Sequence, residues 1–157
     1  MAGNVLISAV RLSRPINLLI ILATMLGVYF YLSKCNPTLA VNTIHFLLLA
    51  ISTVLIAAGG NIINDYYDLK ADQINKPSKV ILSKNISKEL GLKIYIVLNL
   101  LALSLGLCLS FIFETFWFAG IHTLCILLLW FYSFYLKKIL LLGNLLIAGL
   151  TLSLIHI

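Results

Sequence analysis

The chain has 157 residues, of which 62% are hydrophobic and 10% are charged, and its mean hydropathy is +1.09. A soluble domain carries about 25% charged residues, so this composition excludes an ordinary soluble globular protein. The net charge of +6 would suit a nucleic-acid-binding protein, but the placement of the basic residues argues against that class. Cys35, Cys108 and Cys125 lack the spacing of a zinc site.

Apolar runs of about 20 residues recur along the chain, and helices of that length cross the roughly 30 Å hydrocarbon core of a bilayer. No alternating strand pattern is present, so helices are the structure that satisfies the backbone polar groups in lipid. We therefore predict an all-α, polytopic transmembrane helix bundle, forming a single membrane domain over residues 1–157. The predicted spans run from about Pro15 to Leu32, from Ile44 into the Asn61–Asp72 region, from Leu90 to Phe113, from Phe116 to Leu136, and from Ile139 onward.

The basic residues lie mostly on one side of these spans. With a cytoplasmic N-terminus, ten of the eleven Lys and Arg residues fall on the cytoplasmic side, and only Lys34 falls outside. This bias follows the positive-inside rule and predicts an integral protein of a prokaryotic inner membrane. It also explains the net charge through contact with membrane lipid, without a nucleic-acid partner.

The last six residues, 152–157, spell Leu-Ser-Leu-Ile-His-Ile, a string that one reading frame of a common transposon sequencing adapter encodes. We therefore expect read-through at the end of an incomplete gene and assign no function to His156. On this interpretation the chain is the N-terminal part of a longer protein.

Three of the five acidic residues fall within eight positions, as Asp65, Asp68 and Asp72. On a helix these carboxylates share an arc of about 100° with the amides of Asn61 and Asn64. Close carboxylates repel one another unless a cation intervenes, and oxygen ligands of this kind suit Mg²⁺ shared with substrate phosphates. These five residues, the polar stripe, therefore predict a magnesium site. The alternatives are a helix end wetted by the cytoplasm and an ion path through a transporter or channel.

Four sequence elements together resemble a known family. The run Asn64-Asp-Tyr-Tyr-Asp68-Leu-Lys-Ala-Asp72 resembles Asn-x-x-x-Asp-x-x-x-Asp, the first signature of UbiA-type intramembrane prenyltransferases. The resemblance covers about residues 11–150 and is specific because the four elements occur in the family's order. The other three are Arg14-Pro15-x-Asn17, Gly60-Asn61, and Tyr132-Ser133-x-x-Leu136-Lys137 followed by Gly143-Asn144.

The resemblance implies a bundle of about nine transmembrane helices, of which about five would be present here. It implies that Asn64, Asp68 and Asp72 bind Mg²⁺, with support from Asp65. A second Asp-rich motif completes the site in this family and belongs beyond the fifth helix. These 157 residues contain no such motif, so we expect the chain by itself to be inactive.

The same resemblance assigns the remaining site residues. Lys79 and Lys137 are expected to bind phosphate oxygens of the prenyl diphosphate. Asn61, on the edge of the stripe, is expected to bind substrate. Tyr132 is expected to line the cavity and to stabilise an allylic cation with its ring.

The implied function is Mg²⁺-dependent transfer of a prenyl group from a prenyl diphosphate to a lipophilic acceptor within the membrane. The run Asp72-x-Ile-Asn-Lys-Pro77 is similar to that of the digeranylgeranylglyceryl-phosphate synthase branch, which favours a prenylglycerol phosphate as acceptor. An aromatic quinone precursor is the alternative acceptor within the family. A transporter or channel, or an inactive structural fragment, is the alternative outside it.

Overall fold

The computed structural model describes residues 2–35, 42–138 and 148–149. In this part of the chain five α-helices follow one another: α1 (Ala2–Leu12), α2 (Pro15–Cys35), α3 (Thr43–Asn75), α4 (Lys88–Ile112) and α5 (Trp117–Phe134). Short 3-10 turns, Pro77–Lys79 and Leu136–Lys138, follow α3 and α5. Apart from residues 148–149, the span predicted from Ile139 lies outside the described residues, as do Gly143-Asn144 and the terminal string 152–157.

Helices α2 to α5 are long and apolar enough to cross a membrane. The most apolar 18-residue windows of these helices have mean hydropathies between 1.6 and 2.2. Their ends agree with the first four predicted spans to within about three residues, which is the usual uncertainty of such boundaries. The prediction of an all-α membrane bundle is therefore confirmed.

Helix α1 is an element that the sequence analysis did not predict. Its 11 residues are too few to span a bilayer, so a search for spans passes over it. The chain leaves α1 through Arg14, whose φ of 56° lies in the left-handed region. Pro15 then begins α2 with a φ angle that suits a first helical turn. This junction separates two helices that the apolar pattern alone would join.

Helix α3 carries the polar stripe at its C-terminal end. Its 33 residues correspond to about 50 Å of helix, which exceeds the roughly 30 Å of hydrocarbon in a bilayer. The end that bears Asp65, Asp68 and Asp72 therefore reaches the membrane edge. Carboxylates can be hydrated and can meet a charged ligand there.

Glycines let α3 approach its neighbours closely. A Cβ atom on Gly59 would lie 2.8 Å from Nδ2 of Asn99 in α4, and one on Gly60 would lie 3.0 Å from Cδ1 of Leu129 in α5. Small residues permit such approach between helices in lipid, where packing rather than the hydrophobic effect drives association. These contacts bring α4 and α5 close to α3 immediately before the polar stripe.

The connection between α3 and α4 folds back onto the bundle. Val80, Leu82 and Ile86 are buried in one cluster with Leu12 of α1 and Ile62 of α3. The cluster joins α1, α3 and the N-terminal part of α4 through apolar contacts. It therefore anchors the chain immediately after the 3-10 turn that follows the stripe.

Candidate functional site

The polar stripe divides between two neighbouring parts of the chain. Asn61 and Asp65, one helical turn apart, contact the junction between α1 and α2. Asn64 and Asp68, also one turn apart, lie beside Lys137 in the turn that follows α5. The stripe thus connects segments that are distant in sequence at one end of the bundle.

Asn64, Asp68 and Lys137 form the first group. Asn64 Nδ2 donates a hydrogen bond of 3.0 Å to Asp68 Oδ2, and Lys137 Nζ lies 2.5 Å from Asp68 Oδ1. The Lys137 side chain is 16% exposed, and Asp68 is the acidic partner of its shielded ammonium nitrogen among the described residues. An ammonium group carries three donors, and buried polar atoms are nearly always paired. Lys137 therefore retains donors for an anionic ligand.

The second group joins the stripe to the junction between α1 and α2. Asn61 Nδ2 donates to the Ser13 carbonyl oxygen at 2.8 Å, and Arg14 Nη2 donates to Asp65 Oδ1 at 2.5 Å. One oxygen of Asp65 is therefore occupied by a guanidinium group. The predicted support of a metal by Asp65 stays a prediction, with Oδ2 as the oxygen outside this ion pair.

The other predicted site residues lie around these two groups. Asp72 follows Asp68 by one turn of α3 and has no cationic partner among the side chains that the structure describes. Lys79 ends the 3-10 turn after α3, but its side chain is not among those described, so its contact with phosphate stays a prediction. Tyr132, in the last turn of α5, lines a cavity beside the stripe.

This cavity has a volume of about 420 Å³ and lies between α2, α3 and α5. Arg14, Asn61 and Asn64 make the end next to the stripe polar. The remaining wall is mostly apolar, so the cavity matches an amphiphile with a charged head and a hydrocarbon tail. The apolar lining residues are Ile21, Leu49, Ile56, Ala57, Gly60, Ile121, Cys125 and Leu129.

Sequence reasoning did not assign Arg14, Asn17, His122 or Ser133 to the site, although all four line the cavity. Arg14 and Asn17 belong to the sequence element Arg14-Pro15-x-Asn17. Nothing in that element links it to a stripe about 50 residues away, whereas the Arg14–Asp65 ion pair does. The signal for His122 is a polar, ionisable residue within an apolar span, which is costly in lipid unless it serves a purpose.

The donor set fits Mg²⁺ shared with a substrate better than a metal held by protein alone. In residues 2–35, 42–138 and 148–149, no three His, Cys, Asp or Glu side chains are grouped so that they could hold a metal. Mg²⁺ is commonly bound by one or two carboxylates together with water and substrate phosphates. Asp68 and Asp72, one turn apart and close to the Asn64 amide, supply such a partial set.

Comparison with known proteins agrees with the motifs. The profile of the UbiA prenyltransferase family matches residues 20–155. The digeranylgeranylglyceryl phosphate synthase of Thermococcus sibiricus is 35% identical over 144 residues, which are 90% of this chain and 48% of that protein. The synthase of the same name from Korarchaeum cryptofilum is 41% identical over 104 residues, which are 66% of this chain and 34% of that protein.

A solved structure from work on digeranylgeranylglyceryl phosphate synthase in membranes has the same fold. It matches with a TM-score of 0.77 and 28% sequence identity, covering 91% of this chain and 48% of that chain. The chain therefore spans about a third to a half of the length of the proteins that it matches. Sequence profile, relatives and fold agree, and the protein is an integral membrane protein that belongs to the UbiA prenyltransferase family.

Proposed function

We propose that this protein takes part in Mg²⁺-dependent transfer of a prenyl group from a prenyl diphosphate to a lipophilic acceptor within the membrane. The chain contributes the polar stripe, Lys137 and the apolar cavity beside them. The observation that carries the proposal is the shielded Lys137 ammonium group, which lies 2.5 Å from Asp68 Oδ1. It pairs with Asp68, and Asp68 accepts from Asn64 at the polar end of the cavity.

The balance of charge at the stripe supports a requirement for Mg²⁺. A diphosphate is polyanionic, and Asp65, Asp68 and Asp72 would repel it unless cations lay between them. Arg14 and Lys137 neutralise Asp65 and Asp68, which leaves no surplus positive charge at these pairs. Mg²⁺ between the carboxylates and the diphosphate would free Lys137 and Arg14 to contact phosphate oxygens.

The residues of the chain then have distinct tasks in the reaction. Bound Mg²⁺ supplies Lewis-acid stabilisation of the leaving diphosphate. Lys137 donates to a phosphate oxygen and stabilises the negative charge that grows there as the C1–O bond breaks. The prenyl chain becomes an allylic cation, which the Tyr132 ring on the cavity wall stabilises. The acceptor hydroxyl oxygen bonds to C1, and its proton leaves with the released diphosphate.

The relatives favour one acceptor class. The proteins from Thermococcus sibiricus and Korarchaeum cryptofilum are named digeranylgeranylglyceryl phosphate synthases, and we extend to this chain a prenylglycerol phosphate as acceptor. Because ten of the eleven basic residues fall on the side of the stripe, we place the reaction at the cytoplasmic face of a prokaryotic inner membrane.

Substitution of Lys137 tests the proposal on the chain itself. Lys137→Met keeps the aliphatic stem and removes the ammonium group, so we expect at least tenfold weaker binding of geranylgeranyl diphosphate in the presence of Mg²⁺. Binding is measured by equilibrium titration of the purified chain in lipid nanodiscs. The native chain is expected to bind more weakly once Mg²⁺ is chelated.

Lys34→Met is the matched control, because it removes an exposed ammonium group at the opposite end of α2. It should leave the dissociation constant unchanged. Equal affinities of the native chain and Lys137→Met would contradict the phosphate-binding part of the proposal. If the native chain binds geranylgeranyl diphosphate equally well with and without Mg²⁺, the metal part of the proposal is contradicted.

A further inference from the structure

We propose that His122, held by Ser52, lies near the deep end of the cavity, beside the lining residues Leu49 and Ile121, and limits the length of the prenyl chain that the cavity accepts. The pair of His122 and Ser52 is called the cavity floor below. This inference rests on the proposed function in one respect, since it takes the occupant to be a prenyl chain whose diphosphate lies at the polar stripe.

The His122 ring is fixed by hydrogen bonds at both nitrogens. The side chain is buried, with 3% exposure, and Ser52 is fully buried. Nε2 shares a hydrogen bond of 2.8 Å with Ser52 Oγ, which ties α5 to α3. Nδ1 lies 2.7 Å from the Phe118 carbonyl oxygen, and because a carbonyl only accepts, Nδ1 carries the proton. Ser52 Oγ lies 2.8 Å from both Nε2 of the ring and the Leu49 carbonyl oxygen, so these two acceptors share its one hydroxyl hydrogen.

Helix α4 leaves the ring no room to move away from the cavity. A Cβ atom built on Gly106 would lie 2.7 Å from Cγ and 2.9 Å from Cδ2 of His122. The backbone of α4 therefore packs directly against the imidazole. Residues from three helices hold the ring in place, and it still lines the cavity.

The floor lies at a similar depth on both helices that carry it. His122 precedes Ser133 by about 11 residues in α5, and Ser52 precedes Asn64 by about 12 in α3, which corresponds to about 16–18 Å at 1.5 Å per residue. An extended chain advances about 3.5 Å for every three backbone bonds, so an isoprene unit with four chain bonds advances roughly 4.5 Å. The cavity therefore holds about three to four isoprene units between the stripe and the floor.

A polar floor is more resistant to a longer chain than an apolar one. A fifth isoprene unit would have to displace the ring and break its bonds to Ser52 and the Phe118 carbonyl. In a water-poor site within the membrane the separated groups find no replacement partners, which is costly. His122, which carries both bonds, is itself a lining residue of the cavity.

Photolabelling along the cavity tests the floor. The probes are prenyl diphosphates with a terminal diazirine and three, four or five isoprene units, added to the chain in nanodiscs with Mg²⁺. We expect the four-unit probe to label residues 49–53 and 121–125, mapped by mass spectrometry. The five-unit probe should label them no more than one-fifth as strongly.

His122→Ala should raise labelling by the five-unit probe at least fivefold. The substitution leaves Ser52 paired, because Ser52 Oγ also lies 2.8 Å from the Leu49 carbonyl oxygen. His122→Gln retains length and hydrogen-bonding groups and should keep the native selectivity. His45→Ala, at a histidine that does not line the cavity, is the matched control and should also keep it.

Two results would overturn the floor: equal labelling of the native chain by the four- and five-unit probes, or an unchanged ratio in His122→Ala. The native ratio decides the matter even where the alanine variant fails to insert. Prenyl alcohol probes of the same lengths separate the two proposals. A length limit in both series with no dependence on Mg²⁺ supports the floor and contradicts the proposed function, whereas absence of a limit in both contradicts the floor.

Discussion

Single residues of the polar stripe differ in their partners, and these partners decide what each substitution does. Asp68 accepts from Asn64 through Oδ2 and pairs with Lys137 through Oδ1, so it connects α3 with the turn after α5. Asp65 is paired with Arg14. Asp72 has no cation beside it among the described side chains. We infer that a metal at Asp68 and Asp72 would have to displace Lys137 from the Asp68 carboxylate. The Asp72 carboxylate has no such cation to displace among the described side chains.

Removal of the Asp68 charge is expected to abolish the effect of Mg²⁺ on binding. Asp68→Asn loses a charged oxygen ligand and leaves Lys137 without its counter-charge, so geranylgeranyl diphosphate should bind equally with and without Mg²⁺. Asp72→Asn should behave in the same way. Titrations of the chain in nanodiscs with Mg²⁺ or with a chelator measure the difference.

Glu114→Gln removes an acidic residue from the exposed turn between α4 and α5 and is the control for charge. It should retain the response to Mg²⁺, as should Lys137→Met at a weaker overall affinity. A full response to Mg²⁺ in both Asp68→Asn and Asp72→Asn would show that the stripe does not bind the metal.

Among the helices, the positions of α3, α4 and α5 depend on where glycine replaces a side chain. Gly59 and Gly60 allow α4 and α5 to approach α3, and Gly106 allows α4 to contact the His122 ring. Gly120 of α5 has nothing within 4 Å of its hypothetical Cβ atom. Gly106 and Gly120 both lie in apolar helices, but only Gly106 is in a close contact between helices. Their sequence surroundings do not reveal this difference.

Gly106→Ala is expected to destabilise the bundle, whereas Gly120→Ala is not. The new methyl group would lie 2.7 Å from Cγ of His122, whose ring is held in place by hydrogen bonds at both nitrogens. Such overpacking costs about 1–3 kcal/mol. Gly120→Ala gains up to about 1 kcal/mol of helix propensity without a clash. Thermal unfolding of the purified chain in detergent measures both, and an equal or smaller loss for Gly106→Ala would refute the close α4–α5 contact.

At the scale of the whole molecule, charge sets the orientation in the membrane. α2 begins beside Arg14 and ends at Lys34 and Cys35, and the connection between α3 and α4 carries several lysines. The basic bias predicts that this connection faces the cytoplasm and that Cys35 faces outward. The polar stripe and the cavity mouth would then open on the cytoplasmic side.

Cysteine labelling in spheroplasts checks this orientation. In a Cys108→Ser, Cys125→Ser background, a membrane-impermeant maleimide should label the exposed Cys35. A cysteine introduced by Asn85→Cys, together with Cys35→Ser, should react only after the cells are lysed. If the cysteine at position 85 is labelled in intact spheroplasts and Cys35 is not, the proposed topology is contradicted.

Much of the architecture was predictable because it depends on local properties. Apolar run length predicted α2 to α5, since a helix must cross a fixed thickness of lipid. Helical spacing placed Asn61, Asn64, Asp65, Asp68 and Asp72 on one edge of α3. α1 escaped prediction because it is too short for a span, and its separation from α2 depends on the left-handed backbone at Arg14.

The sequence by itself determined that the chain is a membrane helix bundle with an oxygen-rich stripe at one helix end, because composition and helical periodicity are properties of neighbouring residues. Only the tertiary structure decided which cation meets which carboxylate, and that His122 and Ser52, far apart in sequence, meet beside a cavity. Those contacts arise from helices brought together by glycine packing and connecting turns, so no local pattern encodes them. The polar stripe was therefore visible in the sequence, whereas its pairing with Arg14 and Lys137 and the proposed limit on chain length required the fold.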